Sequence, residues 1–205
     1  ASTSRPPGPE SADELGLMMW LEVPLTVSMS TEAAFLENVR SQLTELIHQN
    51  YNHPSVIIWG MGNESDQNTG SAGLSEDHTN TVHGSLDTLA HELDPGRPTT
   101  GCNWKHSSNQ DIVDTYSPQS WEGWYFGSYP SYGPTRMVGE YGADSALGRH
   151  VEPVQESIQD WSESYQCLLH EYFLAEGLER AGSFPGHFAY LMFDFASARE
   201  DRVAA

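Results

Sequence analysis

Apolar positions along this chain alternate between short β-branched runs bounded by turn residues and longer stretches with helical spacing. The run Ser55-Val-Ile-Ile-Trp59 lies between Asn52-His53-Pro54 and Gly60-Met61-Gly62. A run of that length, bounded in that way, predicts a strand buried on both faces, as parallel sheets require. Further strands are predicted at Leu17–Pro24, Thr99–Asn103, Asp111–Tyr116, Thr135–Gly139 and His187–Ala196, giving about six. Thr31 to Gln49 predicts an amphipathic helix capped by Ser30 or Thr31, with Phe35, Leu36, Val39, Leu43, Leu46 and Ile47 on its buried side. Glu76 to Leu93 predicts a second helix, closed by the turn Asp94-Pro-Gly-Arg-Pro98. Pro153 to Arg180 predicts a third, whose Ile158, Trp161, Tyr165, Leu168, Leu169, Tyr172 and Phe173 read as core rather than as a cofactor box. Residues 1–11 read as an irregular leader, and Ala12–Gly16 as the end of a helix closed by glycine.

Composition narrows this α/β picture. At 205 residues the chain can bury one good core, and residues 1–205 read as a single domain. A complete (β/α)8 barrel is typically about 250 residues and starts at about 200, so this chain stands at the lower limit. The formal net charge of −20 argues against nucleic acid or an anionic membrane as a partner, since both need a basic face. Lysine occurs once, at Lys105, against eight arginines, which fits either a salty habitat or a GC-rich genome. Cys102 and Cys167 have no metal-type spacing and read as free thiols. His78, His83 and His91 read as surface histidines rather than metal ligands. No stretch reaches the roughly 18 apolar residues that span a bilayer. The N-terminus ASTSRPPGPES lacks the apolar region of a signal peptide, so the expectation is cytoplasmic, and it reads as an interior piece of a longer chain.

Candidate chemistry gathers at strand ends. Asn63 and Glu64 fall just past the central run, the edge at which α/β barrels place reacting side chains. A carboxyl group beside an amide and close to apolar surface is a candidate general acid, because desolvation raises its pKa. The plainer reading is that Asn63 caps a turn and Glu64 is a solvated loop residue. Glu140 closes the strand at Thr135–Gly139 in the same manner. Glu22, near the end of its strand, is either a polar group on the rim of the site or a structural ion-pair partner. The loop Ser117–Pro134 carries Trp121-Glu-Gly-Trp-Tyr125, which suits stacking against sugars or, alternatively, packing on itself.

HPSVIIW from His53, followed by Gly62-Asn63-Glu64, resembles the acid/base signature of glycoside hydrolase family 2, the family of β-galactosidases and β-glucuronidases. Gly139-Glu140-Tyr141-Gly142-Ala143 resembles the nucleophile motif of the same family, and Met192-Phe-Asp-Phe-Ala-Ser197 its closing strand. The resemblance implies a (β/α)8 TIM barrel that is incomplete here, with the first two βα units and the preceding sandwich domains missing. It also implies hydrolysis of terminal β-galactosides or related β-glycosides with retention. Glu140 would then be the nucleophile and Glu64 the acid/base, with both pointing to one rim and carboxyl groups about 5–5.5 Å apart. Asn63 would bind the sugar 2-hydroxyl, Tyr141 would orient Glu140, and Trp121, Trp124 and Tyr190 would form a stacking wall.

No cofactor is required by that chemistry, although the resemblance implies Mg2+ near the acid/base residue with its ligands unassigned. The implied partners are a carbohydrate substrate and either the missing N-terminal domains or an oligomer, since an open parallel sheet leaves unpaired edges. Two local departures stand out. Tyr190 and Leu191 occupy positions where tryptophan and asparagine are common, and Gln119-Ser120-Trp121 replaces Asn-x-Tyr. Two other readings share these motifs: a catalytically inactive carbohydrate-binding or assembly fragment, and a retaining barrel hydrolase of β-mannosides or β-glucans.

Overall fold

The computed structural model of the chain describes residues 8–70, 74–102, 104, 110–126, 137–151, 160–180 and 186–190. The single domain expected over 1–205 divides into two compact units, Ala1–Ser117 and Pro118–Ala205. Each is described by itself.

The first unit begins with helix α1, Pro9–Leu15, which has proline in its first turn and ends on Gly16 at φ 69°. Helix therefore starts inside the expected leader, because Pro9 presets the helical φ and lacks only an N–H that the helix start leaves unpaired anyway. Asp13 on α1 accepts from the Ser55 N–H at 2.8 Å and pairs with His53 Nδ1 at 2.6 Å. Hydrogen bonds from Ser55, and then the contact with His53, hold the Asp13 carboxyl down at about 2.

Four strands follow: β1 Met19–Glu22, β2 Val56–Asn63, β3 Thr99–Cys102 and β4 Thr115–Ser117. They pair in chain order and all parallel. Helix α2, Ala33–Asn50, joins β1 to β2, and α3, Glu76–Leu93, joins β2 to β3. Both helices turn one stripe inward: Val39, Leu43 and Ile47 of α2 meet Val82, Leu86 and Ala90 of α3 against Val56, Trp59 and Met61 of β2. Fully burying each large apolar side chain contributes roughly 1.5–3 kcal/mol, so this cluster holds the two helices against the parallel strands.

Three local expectations need correction. The N-cap of α2 is Glu32, whose side chain makes no capping bond, while Ser30 Oγ accepts from the Glu32 N–H at 3.1 Å. Strand β4 starts at Thr115 rather than at Asp111, because the Asp114 carboxylate turns back to accept the Thr99 N–H at 2.9 Å. His83 is fully buried rather than on the surface. It shares the inward stripe of α3 with Thr79, Val82, Leu86 and Ala90, at helical spacing.

In the second unit, β5 Val138–Tyr141 pairs parallel with β6 His187–Ala189, and α4, Glu163–Glu179, lies between them in sequence. Ser162 caps α4 by accepting the Tyr165 N–H at 3.1 Å. Tyr165, Leu169 and Phe173 form the inward face of α4, and Tyr172, expected in the core, is exposed because it falls off that stripe. Ile158 and the part of the closing strand from Leu191 to Ala196 lie outside the described residues.

Among the described residues, four parallel strands in the first unit and two in the second, with helices between β1 and β2, β2 and β3, and β5 and β6, are those of an incomplete TIM barrel. No helix among them is long and apolar enough to cross a membrane.

Candidate active site

Asn63 is the last residue of β2, and Glu64 follows it with φ 51°. This left-handed backbone is uncommon for a residue with a Cβ. Three neighbouring segments hold the turn. Asn63 N–H donates to Leu25 O at 3.0 Å, Glu64 N–H to Cys102 O at 2.9 Å, and Trp104 Nε1 to Gly62 O at 3.0 Å. Gly62, at φ 128°, is needed because a Cβ there would lie 2.8 Å from Leu25 O. Among the described residues, the two non-glycine positions with positive φ are Val27 and Glu64, and Val27 N–H donates to Asn63 O. Strained backbone therefore converges on Asn63.

Beneath that turn, Ser65 and Asp66 are fully buried, and Ser65 Oγ bonds to His83 Nε2 at 2.8 Å. The His83 ring stacks on Trp104, and burial pushes its pKa down to about 3, so the imidazole is neutral. Glu22 ends β1 in register with Gly60 of β2, and the Gly60 hydrogen leaves room for the Glu22 stem. Glu22 is half-buried in that position.

The second carboxylate, Glu140, is the penultimate residue of β5. Gln119 Nε2 donates to Glu140 Oε2 at 2.6 Å, and Trp121 Nε1 donates to Gln119 Oε1 at 2.9 Å. Trp121 meets Tyr190 edge-on at 6.2 Å and Tyr125 at 5.3 Å, so three half-buried or exposed rings stand together beside the carboxylate's hydrogen-bond partner.

Two of the predicted site residues, Tyr141 and Trp124, are buried in the second unit. Tyr141 alternates to the opposite side of β5 from Glu140 and stacks on Phe173 at 4.1 Å. Burial raises the pKa of its hydroxyl. Trp124 is buried edge-on against Trp161 at 5.0 Å. Trp121 and Tyr190 remain as wall candidates.

The profile for glycosyl hydrolases family 2, TIM barrel domain, matches residues 11–203. The chain belongs to glycosyl hydrolase family 2. It is 35% identical to a putative β-glucuronidase of Formosa agariphila, over 92% of this chain and 27% of that protein. It is 30% identical to a β-glucuronidase of Bacteroides fragilis, over 91% of this chain and 29% of that one. Among solved structures, the apo form of Bacteroides uniformis β-glucuronidase 3 matches with TM-score 0.81 and 33% identity, over 92% of this chain and 27% of that one. The chain thus spans less than a third of these relatives' lengths.

Two residues were missed from sequence. His83 could have been placed by its α3 stripe. Gln119 was marked only as a departure from Asn-x-Tyr, with nothing in the sequence to pair it with Glu140. Among the described residues no three His, Cys, Asp or Glu side chains converge to hold a metal.

Proposed function

We propose that the protein is a retaining β-glycoside hydrolase whose terminal sugar is a β-glucuronide. The observation that carries the reaction type is a glutamate at the carboxyl end of a parallel strand in each unit, Glu64 after β2 and Glu140 on β5, in a family 2 barrel. A Glu140 carboxylate oxygen attacks the anomeric carbon, the bond to the leaving oxygen breaks, and Glu64 gives that oxygen its proton. The Glu64 carboxylate then takes a proton from water. The water oxygen attacks the same carbon and the glycosyl ester to Glu140 breaks, restoring both groups. Water is the only co-reactant, and no cofactor enters the balance. Asn63 binds the 2-hydroxyl, and Trp121 and Tyr190 stack on the sugar.

The names of the relatives support the glucuronide. The β-galactoside expected from the closing strand rests on residues 191–197, outside the described residues. Aryl β-glucuronide and aryl β-galactoside should therefore be assayed side by side, with faster turnover expected for the glucuronide. Glu140→Gly should abolish hydrolysis and regain glycosyl transfer with azide, giving an azide product of inverted configuration. Unchanged hydrolysis by that variant would reject the nucleophile. A wild-type chain that turns over no aryl β-glycoside would support the inactive binding or assembly fragment instead.

A further inference from the structure

We propose that Gln119 and Trp121 form a positioning relay for Glu140, so that the ring offered to the sugar also fixes the nucleophile. The proposal rests on the reading of Glu140 as the nucleophile. Its physical basis is directional. An indole N–H can only donate, so the Gln119 amide must present its oxygen to Trp121 Nε1, 2.9 Å away. The NH2 group is then forced to face Glu140 Oε2 at 2.6 Å. The flipped amide would set N–H against N–H and a carbonyl against a carboxylate, two repulsive contacts in place of two bonds. The usual ambiguity of an amide's orientation is thereby removed.

The backbone locks the same register. Gly139 N–H donates to Pro118 O at 2.9 Å and Ser120 N–H to Glu140 O at 2.8 Å, on either side of a parallel bridge between Gln119 and Glu140. Edge contacts with Tyr125 and Tyr190 hold the indole in place. A donor fixed on a carboxylate favours its ionised form and one rotamer, both of which attack on carbon requires.

Trp121→Phe keeps an aromatic ring for the sugar but removes the five-membered ring of the indole and with it the N–H. We expect kcat on an aryl β-glycoside to fall about tenfold with KM within about twofold, the size of one hydrogen bond felt in the transition state. Gln119→Leu should cost kcat at least as much, and the double variant no more than Gln119→Leu alone, because the indole acts through the amide. Unchanged kcat in Trp121→Phe, a loss confined to KM, or additive losses would overturn the relay.

A readout without turnover separates this from the functional reading. The side-chain amide resonance of Gln119, assigned by its disappearance in Gln119→Leu, should move towards the free-amide position in Trp121→Phe. An unmoved resonance overturns the relay. A wild-type protein without any turnover would instead support the inactive fragment, while the amide resonance still reports whether the relay exists.

Discussion

The imidazole of His83 lies flat on the indole of Trp104, with ring centroids 3.7 Å apart and planes 7° from parallel. Its Nε2 bonds to Ser65 Oγ, and its buried Nδ1 has no hydrogen-bond partner among the described residues. The neutral form that fits is protonated at Nε2, since an unpaired acceptor costs less here than an unpaired N–H.

This arrangement makes stability depend on acid. The pKa of His83 in the fold is about 3, below its ordinary 6.5, so the unfolded chain takes up the proton first. The contribution of His83 is fully present above pH 6.5 and is lost as pH falls towards 3, at about 1.4 kcal/mol per pH unit across the window. His83→Phe keeps the stack and should be about 1 kcal/mol less stable at pH 7 from the lost bond to Ser65. Urea unfolding at pH 7 and pH 4.5 should show that gap shrinking or reversing in acid. A gap independent of pH would reject the buried neutral imidazole.

A second prediction concerns Asp94, Arg97 and Trp59. The nearly buried Asp94 carboxylate accepts from Trp59 Nε1 at 3.0 Å and from Arg97 at 2.7 Å. Burial acts to raise its pKa, but the bonds from Arg97 and Trp59 outweigh it, and the carboxyl stays below its ordinary value. Arg97 also donates to the carbonyls of Tyr51, His53 and Val56. Removing the carboxylate by Asp94→Ala should cost about 3–5 kcal/mol in urea unfolding, as for a broken buried pair. Arg97→Lys should fail to rescue, because one ammonium cannot serve three carbonyls and a carboxylate together.

Gly142→Ala should separate the two strands of the second unit. The glycine sits at φ 151°, and an added Cβ would lie 2.5 Å from Tyr190 O. That clash falls beside the bond from Tyr190 N–H to Tyr141 O, 2.7 Å long. A loss of about 1–3 kcal/mol is expected, with a change in tryptophan fluorescence as Tyr190 leaves Trp121. Full stability in the alanine variant would argue against the pairing.

Glu64→Gly should stabilise the fold while removing the proposed acid/base group. A residue with a Cβ at φ 51° gives up about 1 kcal/mol that glycine does not. The melting temperature should rise slightly, and hydrolysis should fall most on glycosides with poor leaving groups. An equal fall for good and poor leaving groups would point to a folding defect instead.

What the sequence reveals here depends on range. The Ser55–Trp59 run and the stripes of α2 and α3 are local patterns, so β2 and the two helices follow from them closely. Glu64 and Glu140 stand out for the same reason, each lying in a contiguous motif at the end of a strand. Features fixed by contacts between distant segments were not legible. The start of β4 depends on Asp114 reaching Thr99, and the bond from Gln119 to Glu140 joins residues 21 positions apart. The burial of Tyr141 and Trp124 is equally illegible, because an aromatic residue beside a motif looks the same whether it is exposed or packed behind the strand.

The grip of Arg97 on Tyr51, His53 and Val56 lies at the amino end of β2, whereas Asn63 closes the opposite end of the same strand. The anchor of this eight-residue strand and the strained turn that follows Asn63 therefore lie at separate ends of one segment. Substitutions around Arg97 can alter the first without touching the second.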